Sequence, residues 1–163
     1  MRALSVRAIV PVPRLVSAAL SLSRAREYIL QLTLVFPVIE MVAPGLLLSV
    51  RAILAYSANF LYTAFAYSFN DVEDAEDDAL DPVKGARNPV SSGVISRRAG
   101  YLISLAFLAA GLALMAAISL ESLLSGSLFS VNSAAYSWRR LRLKAVPVLD
   151  LVSHAATLGV PQL

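Results

Sequence analysis

Apolar residues run in long blocks along this chain, and the ionisable ones fall between the blocks. From Tyr28 to Val50 only Glu40 carries charge, and Ala52 to Asn70 carries none. Ala99 to Leu120 is again uncharged, and Ser122 to Trp138 is a shorter uncharged run. A helix needs about 20 mostly apolar residues to cross a bilayer, so these blocks predict four spans. A fifth begins at Ala145 and reaches Leu163, but it holds Asp150, His154 and two prolines. The pattern therefore predicts an all-α transmembrane helical bundle of four to five spans.

Composition agrees with the pattern. The chain has 163 residues, 58% of them hydrophobic and 15% charged, and its mean hydropathy is +0.69. Soluble domains have roughly 45–50% apolar and about 25% charged residues. There is no cysteine, which excludes disulfides, thiolate catalysis and cysteine metal sites. No glycine-rich phosphate loop and no G-x-S-x-G elbow occurs.

Loop charges give an orientation. Arg2, Arg7, Arg14, Arg24 and Arg26 precede the first span, and only Arg51 lies between the first two. Lys84, Arg87, Arg97 and Arg98 follow the second, Glu121 lies between the third and fourth, and Arg139, Arg140, Arg142 and Lys144 follow the fourth. Basic and poor loops alternate, as the positive-inside rule requires. The N-terminus, segment 71–98 and segment 139–144 are thus expected on the cytoplasmic side. Residues 1–26 read as a basic cytoplasmic arm, and 27–163 as the membrane-embedded domain. Pro11, Pro13 and Arg14 interrupt any signal-peptide core. The net charge of +3 is met by such flanking residues and calls for no nucleic acid.

The acids are concentrated in one place. Asp71, Glu73, Asp74, Glu76, Asp77, Asp78 and Asp81 are seven of the 11 Asp and Glu in the chain. If helix continues past Phe69, Asn70, Asp74 and Asp78 share one stripe, with Asp71 beside it. Like charges four apart destabilise a helix by roughly 0.2–0.5 kcal/mol per pair. A cation relieves that cost, and hard oxygens on one face suit Mg²⁺. The alternative is a solvated acidic loop, the usual fate of a charge run. Glu40 lies inside a span, where an acid faces a cavity or a partner; Pro37 and Pro44 also point to a distorted helix there. A cation carrier with an acidic mouth is a third reading, although Glu40 is the only acid within the four spans.

Two segments resemble the UbiA superfamily of intramembrane prenyltransferases. Asn70-Asp71-x-x-Asp74-x-x-x-Asp78, followed by Arg87-Asn88-Pro89-Val90-x-Ser92-Gly93 and Ile95-Ser96, looks like that family's first aspartate motif. Residues 136–154, "YSWRRLRLKAVPVLDLVSH", resemble a second family segment, notably that of lycopene elongases. Arg139-Arg140 stands where that segment has Pro-Pro.

The resemblance implies a helical bundle, usually of nine spans, that binds a polyprenyl diphosphate donor through Mg²⁺ and passes the prenyl group to a hydrophobic acceptor in the lipid bilayer. Carried over, Asn70, Asp71, Asp74 and Asp78 would hold Mg²⁺, with Asp74 and Asp78 central to catalysis. Arg87, Arg140, Arg142 and Lys144 would meet the diphosphate, or serve only as topogenic charges. Tyr67 and Tyr136 would line the substrate cavity; Tyr136 suits the interfacial belt equally. Tyr56, Tyr62 and Tyr67 would face an allylic cation or simply pack. Asp150 and His154 match the second segment without an assigned role. The family's second aspartate-rich motif has no counterpart here. That implies the N-terminal half of the fold, a truncated or non-catalytic protein, or one half completed by a second chain.

Overall fold

The computed structural model describes residues 11–33 and 35–159, and the described residues are helical with no strand. Arg2, Arg7 and the last residues of the fifth apolar block lie outside them, as does the side chain of His154. The helices are α1 (Val12–Ser23), α2 (Ala25–Leu32), α3 (Val35–Val42), α4 (Val50–Glu73), α5 (Ala75–Asp78), α6 (Pro82–Arg87), α7 (Arg97–Ile118), α8 (Leu120–Ser137) and α9 (Pro147–Gly159). Serines begin the long ones. Ser49, Ser96 and Ser119 each accept a hydrogen bond from the backbone N–H three residues on, at 3.1–3.2 Å. Each satisfies a donor that a helix start otherwise leaves free.

α4 is the axis of the bundle. Gly100 of α7 faces Val72, and Gly111 faces Tyr62, so α7 runs antiparallel to α4. Gly126 of α8 faces Tyr62, and Ser137 donates to Asn70, so α8 runs parallel to α4. Ser119 alone separates α7 from α8.

The first predicted span is not one straight helix. Arg24 meets Asp71, Tyr28 stacks on Tyr67, and Phe36 stacks on Tyr56. The stretch therefore runs antiparallel along α4, but as the two pieces α2 and α3. Pro37 removes a backbone donor near the start of α3. After α3, Pro44 and Gly45 turn the chain, with Gly45 at φ 76°. The Glu40 carboxylate accepts the Gly45 N–H at 3.0 Å. Glu40 is exposed and ties off this turn, which answers the question its intramembrane position raised.

Inside and outside are inverted relative to a soluble bundle. The buried residues of α7 are Gly100, Ser104, Gly111 and Met115, and those of α8 are Gly126, Phe129, Ser130, Ser133 and Ser137. Large apolar side chains such as Leu102, Leu105, Leu128 and Val131 point outward. Small residues let membrane helices approach closely, since lipid gives no hydrophobic force between them. Ser104 and Ser130 return their hydroxyl protons to carbonyls four residues back, at 3.0 and 2.7 Å, so burial leaves no donor free.

Among the described residues, α7 alone is both long and apolar enough to cross a bilayer by itself, with a mean hydropathy of 2.3. α4 is longer but carries Asn59, Thr63 and Ser68, each bonded to its own helix backbone.

A Cβ added at Gly100 would lie 2.6 Å from Val72 Cγ2 and 3.0 Å from Val90 Cγ2. Val72 is fully buried. Gly100→Ala is expected to cost about 1–3 kcal/mol through overpacking, read as a lower unfolding midpoint in detergent.

Candidate functional site

The acidic run sits where α4 ends. Asp74 closes α4 at φ −86°, ψ 0°, and α5 resumes at once. The Asp74 N–H still bonds to the Asn70 carbonyl and the Asp78 N–H to the Asp74 carbonyl, both at 2.8 Å. The one-turn spacing of the predicted stripe thus survives the break.

The side chains of the stripe and of Asp71 nevertheless do not share a single partner. Lys144 Nζ donates to Asn70 Oδ1 at 2.8 Å and to Asp74 Oδ2 at 2.5 Å. Asp71, buried, is gripped by the Arg24 guanidinium. Asp78 accepts from Asn88 Nδ2 at 3.0 Å. Asn88 is itself buried; it also donates to the Asp71 carbonyl at 2.7 Å and accepts from the Val90 N–H at 3.0 Å. It caps a carbonyl that the end of α4 leaves without a helical partner.

The segment after α8 folds onto the same end of the bundle. Arg139 pairs with Glu76 and Asp77, and its backbone N–H reaches Glu73 at 3.1 Å. Arg142 donates to Asp77 at 2.8 Å. Buried Glu73 accepts the Tyr101 hydroxyl at 2.6 Å and has Arg97 at 3.7 Å. Among the described residues, Arg24 and Arg142 are the non-glycine residues at positive φ, 49° and 42°. Both arginines in this uncommon conformation contact the acidic run, so local backbone strain coincides with the ion pairs.

Two basic candidates lie apart from the stripe. Arg87 pairs with Glu27 of α2 at 3.3 Å. The Arg140 guanidinium lies over the Trp138 ring, 5.9 Å from its centroid.

These pairs set the acid behaviour of the exposed rim. The hydrogen bond from Arg139, then its charge, holds Glu76 below the ordinary glutamate value. The hydrogen bond from Arg142 holds Asp77 below its own. The N–H groups of Lys84 and Val83 do the same for Asp81 at the start of α6. A depressed carboxylate stabilises the fold above its unfolded value and loses that contribution as pH falls through the folded one. The contacts from 139–144 to Glu76 and Asp77 are therefore expected to hold at neutral pH and to open only as the pH falls below the ordinary carboxylate range. The single tryptophan, Trp138, adjoins Arg139, so its emission against pH reads the opening.

A metal has a partial cradle here. Among the described residues, no three Asp, Glu or His side chains converge on one point. Asn70 and Asp74 do converge, and a cation already stands between them in the form of the Lys144 ammonium. The second Asp74 oxygen, Oδ1, is buried and has no hydrogen-bond partner among the described residues. A buried carboxylate oxygen without a partner is costly. Two protein oxygens, completed by water and phosphate oxygens, fit the way Mg²⁺ is usually held.

A cavity of about 880 Å³ lies toward the other end of α4. Val38, Ile39, Tyr62, Met115 and Phe129 give it apolar walls, and Arg51 and Glu121 are among its charged lining residues. Tyr67 and Tyr136 are not among its lining residues. Tyr67 stacks on Tyr28, with Arg24 over its ring, and Tyr136 donates to Asp150 at 2.9 Å. Tyr62, the middle one of the three aromatic candidates on α4, is the tyrosine that lines the cavity.

The sequence profile of the UbiA prenyltransferase family matches residues 31–163. The chain belongs to the UbiA prenyltransferase family. Neither a curated protein nor a solved structure matches it. UbiA members are integral membrane helical bundles that bind polyprenyl diphosphates and hydrophobic acceptors, and the family generally uses Mg²⁺ at aspartate motifs. Within this UbiA chain, sequence reading missed Asn88, Glu73 and Arg139 as organisers of the site. Asn88 lies inside the matched motif, which is a usable signal. Glu73 is buried, as Asp71 is, while Glu76 and Asp77 stay on the exposed rim, and no sequence feature marks that difference.

Proposed function

We propose that this chain transfers a polyprenyl group from an allylic diphosphate to a hydrophobic acceptor within the membrane, at the end of α4. Heterolysis of the allylic C–O bond expels diphosphate, and the acceptor captures the allylic cation and gives up a proton. Mg²⁺ held by Asn70 and Asp74 would supply charge stabilisation for the leaving diphosphate. Lys144, already at Asp74, and Arg142, at nearby Asp77, would turn to the diphosphate oxygens and neutralise the charge that develops there. Asp78 would support the site through Asn88, and Asp71 through Arg24. Arg87 and Arg140 would act from the rim.

Family membership over residues 31–163 supports the reaction class. The observation that carries the site is the convergence of Asn70, Asp74 and Lys144. The cavity beyond supports a place for the isoprenoid tail. Tyr62 lies eight residues before Asn70, about 12 Å along the helix. Apolar walls there would also keep water from the cation. The orientation proposed is cytoplasmic for the N-terminus and the acidic run, supported by the gathering of Arg24, the acids and segment 139–144 at one end of the bundle.

The test is transfer of a labelled prenyl group in membranes containing this chain and Mg²⁺. Turnover that depends on Asp74 supports the proposal; an inert chain, with every donor and with candidate partner chains co-expressed, sinks it.

A further inference from the structure

We infer that Lys144 and the divalent cation are alternative occupants of one position between Asn70 and Asp74, so that the cation enters with a diphosphate and binds poorly alone. The inference rests on the metal reading given above and concerns the regulation of that same site.

The Lys144 ammonium is within hydrogen-bond distance of both oxygens that would hold the metal. Its side chain and that of Asp74 are each only 17% exposed, so water screens the contact weakly. An ammonium and a divalent cation cannot share two oxygens at such distances, because their repulsion in a poorly hydrated site is large. The ammonium is also held in place by its backbone. Lys144 lies in the short turn Leu143–Ala145, directly after Arg142, which is itself bound to Asp77. Removing the ammonium without giving it a new partner would leave a largely buried charge uncompensated.

A diphosphate supplies that partner. Its oxygens accept from Lys144 as the metal takes the position between Asn70 and Asp74, and the unpartnered Asp74 Oδ1 gains a cation as well. The internal cation thus keeps the acids neutralised in the empty site and makes metal and diphosphate binding mutually dependent. By linkage, each must raise the affinity of the other by the same factor.

Mn²⁺ serves as the probe, followed by electron paramagnetic resonance of the free ion during titration of the full chain in lipid nanodiscs. The chains compared are the unaltered protein, Lys144→Met and Asp74→Asn, each with and without inorganic pyrophosphate. Without pyrophosphate, Lys144→Met is expected to bind Mn²⁺ at least about tenfold more tightly than the unaltered chain. Pyrophosphate is expected to tighten Mn²⁺ binding by the unaltered chain by a clearly larger factor than it tightens binding by Lys144→Met. Asp74→Asn is expected to lose the site in both conditions.

Equal Mn²⁺ affinity for Lys144→Met and the unaltered chain, with Asp74-dependent binding still seen when pyrophosphate is present, overturns the competition and leaves the metal reading standing. If no chain shows Asp74-dependent Mn²⁺ binding, the metal reading falls and the competition with it. Should Lys144→Met fail to fold, Lys144→Gln keeps a donor toward Asn70 and Asp74 without the charge and carries the same comparison.

Discussion

Asp74→Ala is expected to lower Mg²⁺-dependent prenyl transfer by at least about a hundredfold, the usual effect of removing a group that stabilises a leaving anion. The substitution removes the carboxylate that holds Lys144 and carries the unpartnered Oδ1. It leaves Asn70 as the lone oxygen of the pair. Asp78→Ala is expected to show a smaller loss, about tenfold, because its carboxylate meets Asn88 and acts on the site through it. Asp81→Ala removes the same charge from the same acidic run but only uncaps α6. It should cost about 1 kcal/mol of stability and leave transfer unchanged. Measuring all three separates a positioned carboxylate from general acidity of the segment. Equal losses in all three would show that bulk charge, and not the Asn70–Asp74 pair, matters.

Asn88→Ala is expected to destabilise the protein by about 2–4 kcal/mol, the largest stability loss among these substitutions. Three hydrogen bonds of 2.7–3.0 Å end on this buried amide. Its removal strands the Asp71 carbonyl at the end of α4 and frees the Asp78 carboxylate. The turn that follows is tied to the same place, with Ser91 donating to the Ala75 carbonyl at 2.8 Å and Ser92 to the Asn88 carbonyl at 2.9 Å. Loosening Asn88 therefore also loosens the entry into α7. Thermal unfolding in detergent measures the first effect, and reduced transfer at temperatures where the chain stays folded measures the second. An unfolding midpoint equal to that of the unaltered protein would show that Asn88 does not hold this end of the bundle.

Much of the architecture is legible in the residues. The uncharged blocks mark α4, α7 and α8, because lipid tolerates no free charge and each helix satisfies its own backbone. Ser49, Ser96 and Ser119 mark helix starts for the same local reason. In the first block Pro37 and Pro44 signal a distorted helix, but apolar composition does not show that it divides into α2 and α3. The Asn70–Asp74–Asp78 spacing is legible as well, as the backbone bonds across Asp74 show. Its meaning is less so. Asp71, Asp74 and Asp78 look alike in the sequence, and the structure gives them an arginine, a lysine and an asparagine in turn.

The sequence by itself determined the long helices, the caps and the one-turn rhythm of the acids, all of which depend on neighbours within a few residues. Tertiary structure alone decided which cation answers which acid. Lys144 meets Asp74 across 70 residues, Arg139 meets Glu76 across 63, and Arg24 meets Asp71 across 47. Pairs so distant in the chain are set by how α1, α7 and α8 pack on α4. The packing of α7 and α8 uses the small faces at Gly100, Gly111 and Gly126, whose partners Val72 and Tyr62 lie on α4, far from them in the chain.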